Sequence, residues 1–328
     1  MAAIENIRDL AASLNDVRAE AEAQALLGDA LTTYGKLDAA EAAFNEYLKI
    51  SRRLTEQDPG NPAWQRELAV AYGKVGDVRQ ARGEMDAAEA AFKEDLKISR
   101  RLAEQDPASA DLQRDLAVAY SKVGDVRKAR GELDAAETAF NEDLKISRRL
   151  AEQDPANADW QRDLAVAYGK VGDVRQARGE LDGAEAAFNE YWKISRRLTE
   201  LDPGNAGWQR DLAVAYSKMG DVRQVRGELD ASETAFNEVL KIFRRLTEQD
   251  PGNADWQRDL AVAYSNVGDV RQARGELDGA EAAFNEYLNT FRRLTEQDPG
   301  NAGWQRDLSV AYSRSGTWRS TPPGSSWS

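Results

Sequence analysis

Two carboxylates stand side by side at Glu142 and Asp143, and paired acids can divide general-acid and general-base work between them. Their surroundings do not support that chemistry. The 328-residue chain has no histidine and no cysteine. That removes imidazole bases, thiolate nucleophiles, disulfides and the usual zinc ligand sets together. Glu142 and Asp143 fall on a regular helical pattern and read as solvated charges. The stretches "GELDGAE" and "KVGDVRQ" lack the preceding strand and the glycine spacing of a phosphate-cradling loop. No catalytic, cofactor or metal set emerges, and a non-enzyme is expected.

Charge narrows the partners further. The chain is 31% charged and 41% hydrophobic, apolar enough for a large core. Its net charge of −13 comes from acidic and basic residues that are interleaved along the chain. A nucleic-acid binder would present a basic stripe, so no nucleic-acid partner is expected. No apolar run approaches the roughly 18 residues of a membrane span, and the first residues lack the basic-then-apolar order of a signal peptide. A cytoplasmic protein is expected, and the lack of cysteine fits a reducing compartment.

What positions any side chain here is a repeat. Trp64, Leu112, Trp160, Trp208, Trp256 and Trp304 are spaced 48 residues apart, and Gly76, Gly124, Gly172, Gly220 and Gly268 keep that interval. A fixed period of this size marks a solenoid, in which each unit buries its apolar face by stacking on the next. Within residues 157–203, Asn157 follows Pro155 and can cap a first helix. Ser109 stands at the equivalent place, and Pro62 suits a first helical position. Trp160, Leu164, Tyr168, Val171 and Arg175 recur at three- and four-residue steps, and Gly179 supplies a left-handed stop. The second helix opens at Asp182, read with Glu185 as a variant capping box. Ala184, Phe188, Trp192, Ser195 and Leu198 line one side before Pro203 ends it. Each helix has about 20 residues and is roughly 30 Å long.

These units resemble tetratricopeptide repeats. That family's unit of about 34 residues carries a Leu-Gly pair and a Tyr in its first helix, an Ala-x3-Phe in its second and a closing Pro. Val123-Gly124 falls on the Leu-Gly pair, Gly131 on the turn glycine, and Ala136-x3-Phe140 lies at the family's distance. The match recurs at Gly172, Ala184 and Phe188 and covers nearly the whole chain. The resemblance implies an all-α fold, a right-handed α-solenoid of stacked antiparallel helix pairs forming a TPR-like superhelix. It also implies that the mid-helix glycine meets the Ala of the second helix. Two departures stand out. The longer period reads as two added turns on each helix, since seven residues return a helix nearly to the same phase, with the Trp row anchoring the added part. Arg79, Arg127, Arg175, Arg223 and Arg271 replace the family's Tyr, so each is expected to bury its stem and pair its head with a carboxylate.

Function follows from the same resemblance. It implies that first-helix residues line a concave groove that binds protein or peptide. Carried over by position, one row of that groove is Lys74, Lys122, Lys170 and Lys218, continued by Asn266. A second is Asp29, Asp77, Asp125, Asp173, Asp221 and Asp269, and a third Gln80, Lys128, Gln176, Gln224 and Gln272. Lys and Asp three apart are expected to pair within each helix. The family's clamps for a chaperone C-terminal carboxylate need Lys and Asn where Ser121 or Gly169 and Asp125 or Asp173 stand. The acidic row leans instead toward a partner carrying Lys or Arg. No unit breaks the pattern with an unusual polar cluster. Such uniformity leaves two alternatives to a peptide-binding scaffold: a structural or self-assembling rod, monomeric or weakly self-associating, and the sensor arm of a larger signalling protein.

The ends differ. Residues 1–59 read as an N-terminal capping unit, because Asp16, Glu20, Glu22 and Gln24 hold the Trp, Leu, Val and Tyr positions that would face a preceding repeat. Residues 60–299 hold five 48-residue repeats, and 300–316 the first helix of an incomplete seventh. Residues 317–328 form a tail expected to be disordered. That tail reads either as a frameshifted end of a longer array or as simple divergence.

Overall fold

The computed structural model describes residues 16–317. Residues 1–15 and 318–328 lie outside it, and with them most of the expected disordered tail and frameshifted stretch. The described residues form 13 α-helices and no strand. They are α1 (Val17–Thr33), α2 (Leu37–Gln57), α3 (Pro62–Ala81), α4 (Met85–Gln105), α5 (Ala110–Ala129), α6 (Leu133–Gln153), α7 (Ala158–Ala177), α8 (Leu181–Leu201), α9 (Ala206–Val225), α10 (Leu229–Gln249), α11 (Ala254–Ala273), α12 (Leu277–Gln297) and α13 (Ala302–Thr317). The chain divides after Arg178 into two compact units, α1 to α7 in the first and α8 to α13 in the second. Within each unit every helix packs on the helices before and after it in the chain. This is the antiparallel pair-on-pair packing of an all-α helical-repeat solenoid.

The helix starts follow from local chemistry, with one correction. Asn157 Oδ1 accepts from the Trp160 N–H at 3.1 Å, Ser109 Oγ from Leu112 at 3.4 Å, and Pro62 occupies the first turn of α3. First and second helices join through a glycine at positive φ, +78° at Gly131, a conformation that costs glycine nothing. The turn is so short that the second helix starts at once. Helix α8 begins at Leu181 with Glu180 before it and no side-chain cap. Asp182 is therefore no N-cap. It sits in the first turn, where a carboxylate faces the positive end of the helix dipole, and receives Arg226 instead.

Asp16, at the Trp position, also caps α1, accepting from the N–H groups of Arg18 at 2.9 Å and Ala19 at 3.2 Å. The position of Glu22 does not face a missing repeat, since its counterpart Val70 is 43% exposed.

Among the described residues, five helix pairs that each lie within one unit close on a phenylalanine. A Cβ added to Gly124 would stand 2.4 Å from Phe140 Cε1, and Gly28, Gly76, Gly220 and Gly268 meet Phe44, Phe92, Phe236 and Phe284 in the same way. The Phe ring presses hardest on the glycine, and the Ala position lies beside it too: Ser232, which stands there in α10, donates to the Gly220 carbonyl at 2.9 Å. The ring needs the room more than the methyl does, and Phe140 is fully buried as a result. A mid-helix glycine costs about 1 kcal/mol against alanine, which burial of the ring outweighs.

The Trp row is only half-buried. Trp160 leans on a cluster of Leu116, Ile146 and Leu150, while the next residue points fully inward. Gln113 and Gln161 are buried, and their amides donate to the Ala103 and Ala151 carbonyls at 3.0 Å. A buried amide, together with the indole, ties down the added turns.

The arginine row finds its carboxylate on the second helix of the preceding repeat. Arg79 reaches Glu41 at 3.0 Å, Arg127 Glu89 at 3.2 Å, Arg175 Glu137 at 2.9 Å and Arg271 Glu233 at 2.8 Å. A second arginine joins each glutamate, Arg130 to Glu89 at 2.7 Å and Arg178 to Glu137 at 2.8 Å. These ion pairs couple repeats and do not act inside one helix pair.

Gly124→Ala gains helix propensity yet must push the buried Phe140 ring aside. It is expected to destabilise the protein by about 1–3 kcal/mol, read from urea unfolding. A loss under about 0.5 kcal/mol would mean that the two helices separate freely.

Candidate partner-binding face

The exposed side of each first helix carries its residues in steps of three and four, which places Arg66, Val70, Lys74 and Asp77 of α3 on one face. The same rows recur on α5 and α7 in the first unit and on α9 and α11 in the second, with Asn266 at the Lys position of α11, and α13 keeps Arg306 and Val310 with Arg314 at the Lys position. The Lys and Asp rows do come together, but between helices and not within one. Lys74 Nζ lies 2.6 Å from Asp29, Lys122 2.8 Å from Asp77, and Lys170 contacts Asp125. Lys128 joins Asp173 at 3.1 Å, and Arg314 takes Asp269 at 2.7 Å in the second unit. Lys218 and Asp221 are engaged as well. Cross-helix pairing wins because each ammonium also settles over a phenylalanine of the intervening helix, Lys122 and Lys170 at 5.6 Å from the Phe92 and Phe140 ring centroids. An Asp row neutralised in this way carries no bias toward a basic partner.

The glutamine row lies in the last turn of the first helices. Gln80, Gln176, Gln224 and Gln272 are half-buried there, and the carbonyls of Gln80, Gln224 and Gln272 accept from the turn glycines at 2.9–3.0 Å. Asn266 is half-buried on α11.

A second charged ladder runs about two turns toward the helix starts. Arg66 makes two contacts with Asp115, the longer 3.1 Å, and Arg114 two with Asp163, the longer 3.2 Å. In the second unit Arg210 meets Asp259 at 3.0 Å and Arg258 meets Asp307 at 2.9 Å. Between the two ladders stands an apolar row that sequence reasoning passed over. Val70, Val118 and Val166 in the first unit, and Val214, Val262 and Val310 in the second, are 37–47% exposed. The signal was present in "LAVAY", where the two alanines flanking each valine are the buried residues.

Two repeats also carry a polar insertion under this face. Asp95 and Asp143, on α4 and α6, are 7% and 6% exposed, where other repeats place Tyr47, Tyr191, Val239 or Tyr287. Asp143 is thus not a solvated charge, and the pattern is broken in these two units. A Cβ on Gly73 would stand 3.0 Å from Asp95 Oδ2 and 3.1 Å from Lys122 Nζ, so carboxylate and ammonium converge over that glycine. Burial pushes the Asp95 carboxyl up to about 6, against the opposing pull of the Ser99 hydroxyl and Lys122. Asp143 is pushed to about 6 by the same cause, opposed by Ser147, Lys170 and Ser121. Among the described residues no cluster of acidic residues could hold a metal ion, and no helix is long and apolar enough to cross a membrane.

The family model described as tetratricopeptide repeat matches residues 21–53, which span most of α1 and α2. No curated protein matches the chain in sequence. Among solved structures, it resembles BtubC (BKLC) from P. vanneervenii, with a TM-score of 0.62 at 19% identity, covering 79% of this chain and 92% of that one. The apo form of RapI is similar with a TM-score of 0.54 at 12% identity, over 90% and 98% of the two chains. The S. pombe nuclear import adaptor Nro1 gives 0.51 at 11% identity, over 90% and 98%. These likenesses establish the shared helical-repeat fold.

The two buried acids set a pH signature. A folded-state pKa raised from 3.8 to about 6 means that the native state holds a proton the unfolded chain releases. The stability each contributes is full below about pH 4 and is lost as pH rises through about 6. Replacing both, Asp95→Asn with Asp143→Asn, is expected to flatten the loss of stability between about pH 4 and pH 7 by roughly 2 kcal/mol per site. Urea unfolding across that range checks it, and identical slopes for variant and parent would refute it.

Proposed function

We propose that this chain is a non-enzymatic scaffold whose first-helix face binds a protein or peptide, a reading supported by the tetratricopeptide-repeat match over residues 21–53 and by the helical-repeat fold. The observation that carries this reading is the exposed valine row between two ladders of already paired charges. Exposed apolar side chains repeated in register are retained where a partner covers them. The paired charges border the contact zone and contribute little binding energy themselves. The groove residues are Asp29, Lys74, Asp77, Lys122, Asp125, Lys170 and Asp173 with Lys128 and the glutamine row in the first unit, and Lys218, Asp221, Gln224, Asp269 and Gln272 in the second. Their role in this reading is to hold successive first helices in register, so that the valines present one surface within a unit. The partner's matching feature is a series of apolar side chains, gripped by many equivalent contacts.

Val118→Glu with Val166→Glu is expected to weaken partner capture by about tenfold or more while leaving thermal unfolding unchanged. Affinity for the parent protein should vary little with salt, because few unpaired charges meet the partner. Undiminished capture by the double variant removes the valine row from the account.

A further inference from the structure

Every second helix carries two consecutive arginines, at 52–53, 100–101 and 148–149 in the first unit. Elsewhere in that unit arginines hold carboxylates, as Arg66, Arg79, Arg114 and Arg127 do. The tandem arginines are different. Arg52, Arg100 and Arg148 donate to the hydroxyls of Tyr72, Tyr120 and Tyr168 on the next first helix, at 2.7, 2.9 and 2.8 Å. Their guanidinium carbons lie 5.2, 5.5 and 5.6 Å from the same ring centroids. All three side chains are exposed, and no acidic group of the described residues forms an ion pair with them. The companion arginines 53 and 101 are exposed too. A surface hollow on α2 is lined by Lys49, Arg52, Arg53 and Glu56 together with Asn45 and Leu48.

The physical consequence is a row of positive side chains held in place by tyrosine and engaged in no ion pair, on an acidic protein. A guanidinium stacked on an aromatic ring has already lost its rotamer freedom, so a ligand that binds it does not bear that entropy cost. One N–H is occupied by the tyrosine hydroxyl, and the remaining donors suit a carboxylate. We propose that the row Arg52, Arg100 and Arg148 is a docking surface for an acidic polypeptide segment, separate from the first-helix face. A carboxylate-bearing chain fits better than a phosphate surface. The net charge of −13, with Glu56, Glu104 and Glu152 four residues beyond each row arginine, leaves none of the broad positive field on which binding of DNA or an anionic bilayer depends. Separate carboxylates on a flexible segment reach each arginine by short-range contact. In the second unit Arg196 interrupts the pattern, stacking on its own Trp192 and pairing with Glu200 at 2.8 Å, so the unbroken row belongs to the first unit.

The test is fluorescence anisotropy of the full chain with a labelled poly-Glu peptide. The parent is expected to bind at low ionic strength and to lose affinity as salt rises. The triple variant Arg52→Gln, Arg100→Gln, Arg148→Gln should bind at least about tenfold more weakly, with a thermal midpoint near the parent's. Arg100→Gln alone should weaken binding about threefold, which keeps the question open to measurement if the triple variant folds poorly. A charge-neutral change of the valine row, Val118→Asn with Val166→Asn, should leave poly-Glu binding like the parent's, so failure of the first-helix reading leaves this result intact. No binding by the parent at low salt, equal binding by the arginine variants, or tighter binding of single-stranded DNA than of the peptide would overturn the proposal.

Discussion

One phenylalanine ring pressed against a glycine sets the spacing of every helix pair in which it is seen. At Gly124 and Phe140 a single added methyl would overlap the ring. The pair that results still leaves apolar surface on both helices, and only the next pair covers it. From that constraint follows the arginine network. Glu89 receives Arg127 and Arg130 from the following repeat, so the covering pair arrives in a fixed register. Packing supplies the attraction, and the half-buried charges supply the alignment.

Alignment has a consequence at the surface. The lysines that read as free groove side chains reach back across a phenylalanine to an aspartate one repeat away, as Lys122 does to Asp77. The face between those ladders is close to electrically silent and presents valine. The second helices of the first unit present the contrasting surface, with Arg52, Arg100 and Arg148 held over tyrosine rings and in no ion pair. One repeat thus yields an apolar and a basic surface on different helices, each multiplied along a unit.

Asp95 and Asp143 show where uniformity gives way. Both replace a large side chain in the interior and are kept there by a serine hydroxyl and a nearby lysine. Nothing at the level of spacing separated Asp143 from its neighbour Glu142, because both lie on the same helix. Burial of the first depends on which way the helix turns toward α5.

The repeat period, the two helices per unit, the asparagine and serine caps and the turn glycines were legible in the residues. They express local physics: 3.6-residue periodicity, capping chemistry and positive φ. The start of the second helix was misread at Asp182, since only residues 178–180 separate it from the helix before, which leaves Asp182 inside its first turn. The partner of each ionic side chain was likewise beyond the sequence. Lys74 and Asp77 are three apart on one helix, yet Lys74 joins Asp29, because stacking brings residues 45 apart nearer than helical geometry brings neighbours. Charge that is interleaved along the chain becomes segregated in space by the same stacking, which alone decides where a unit is apolar and where it is basic.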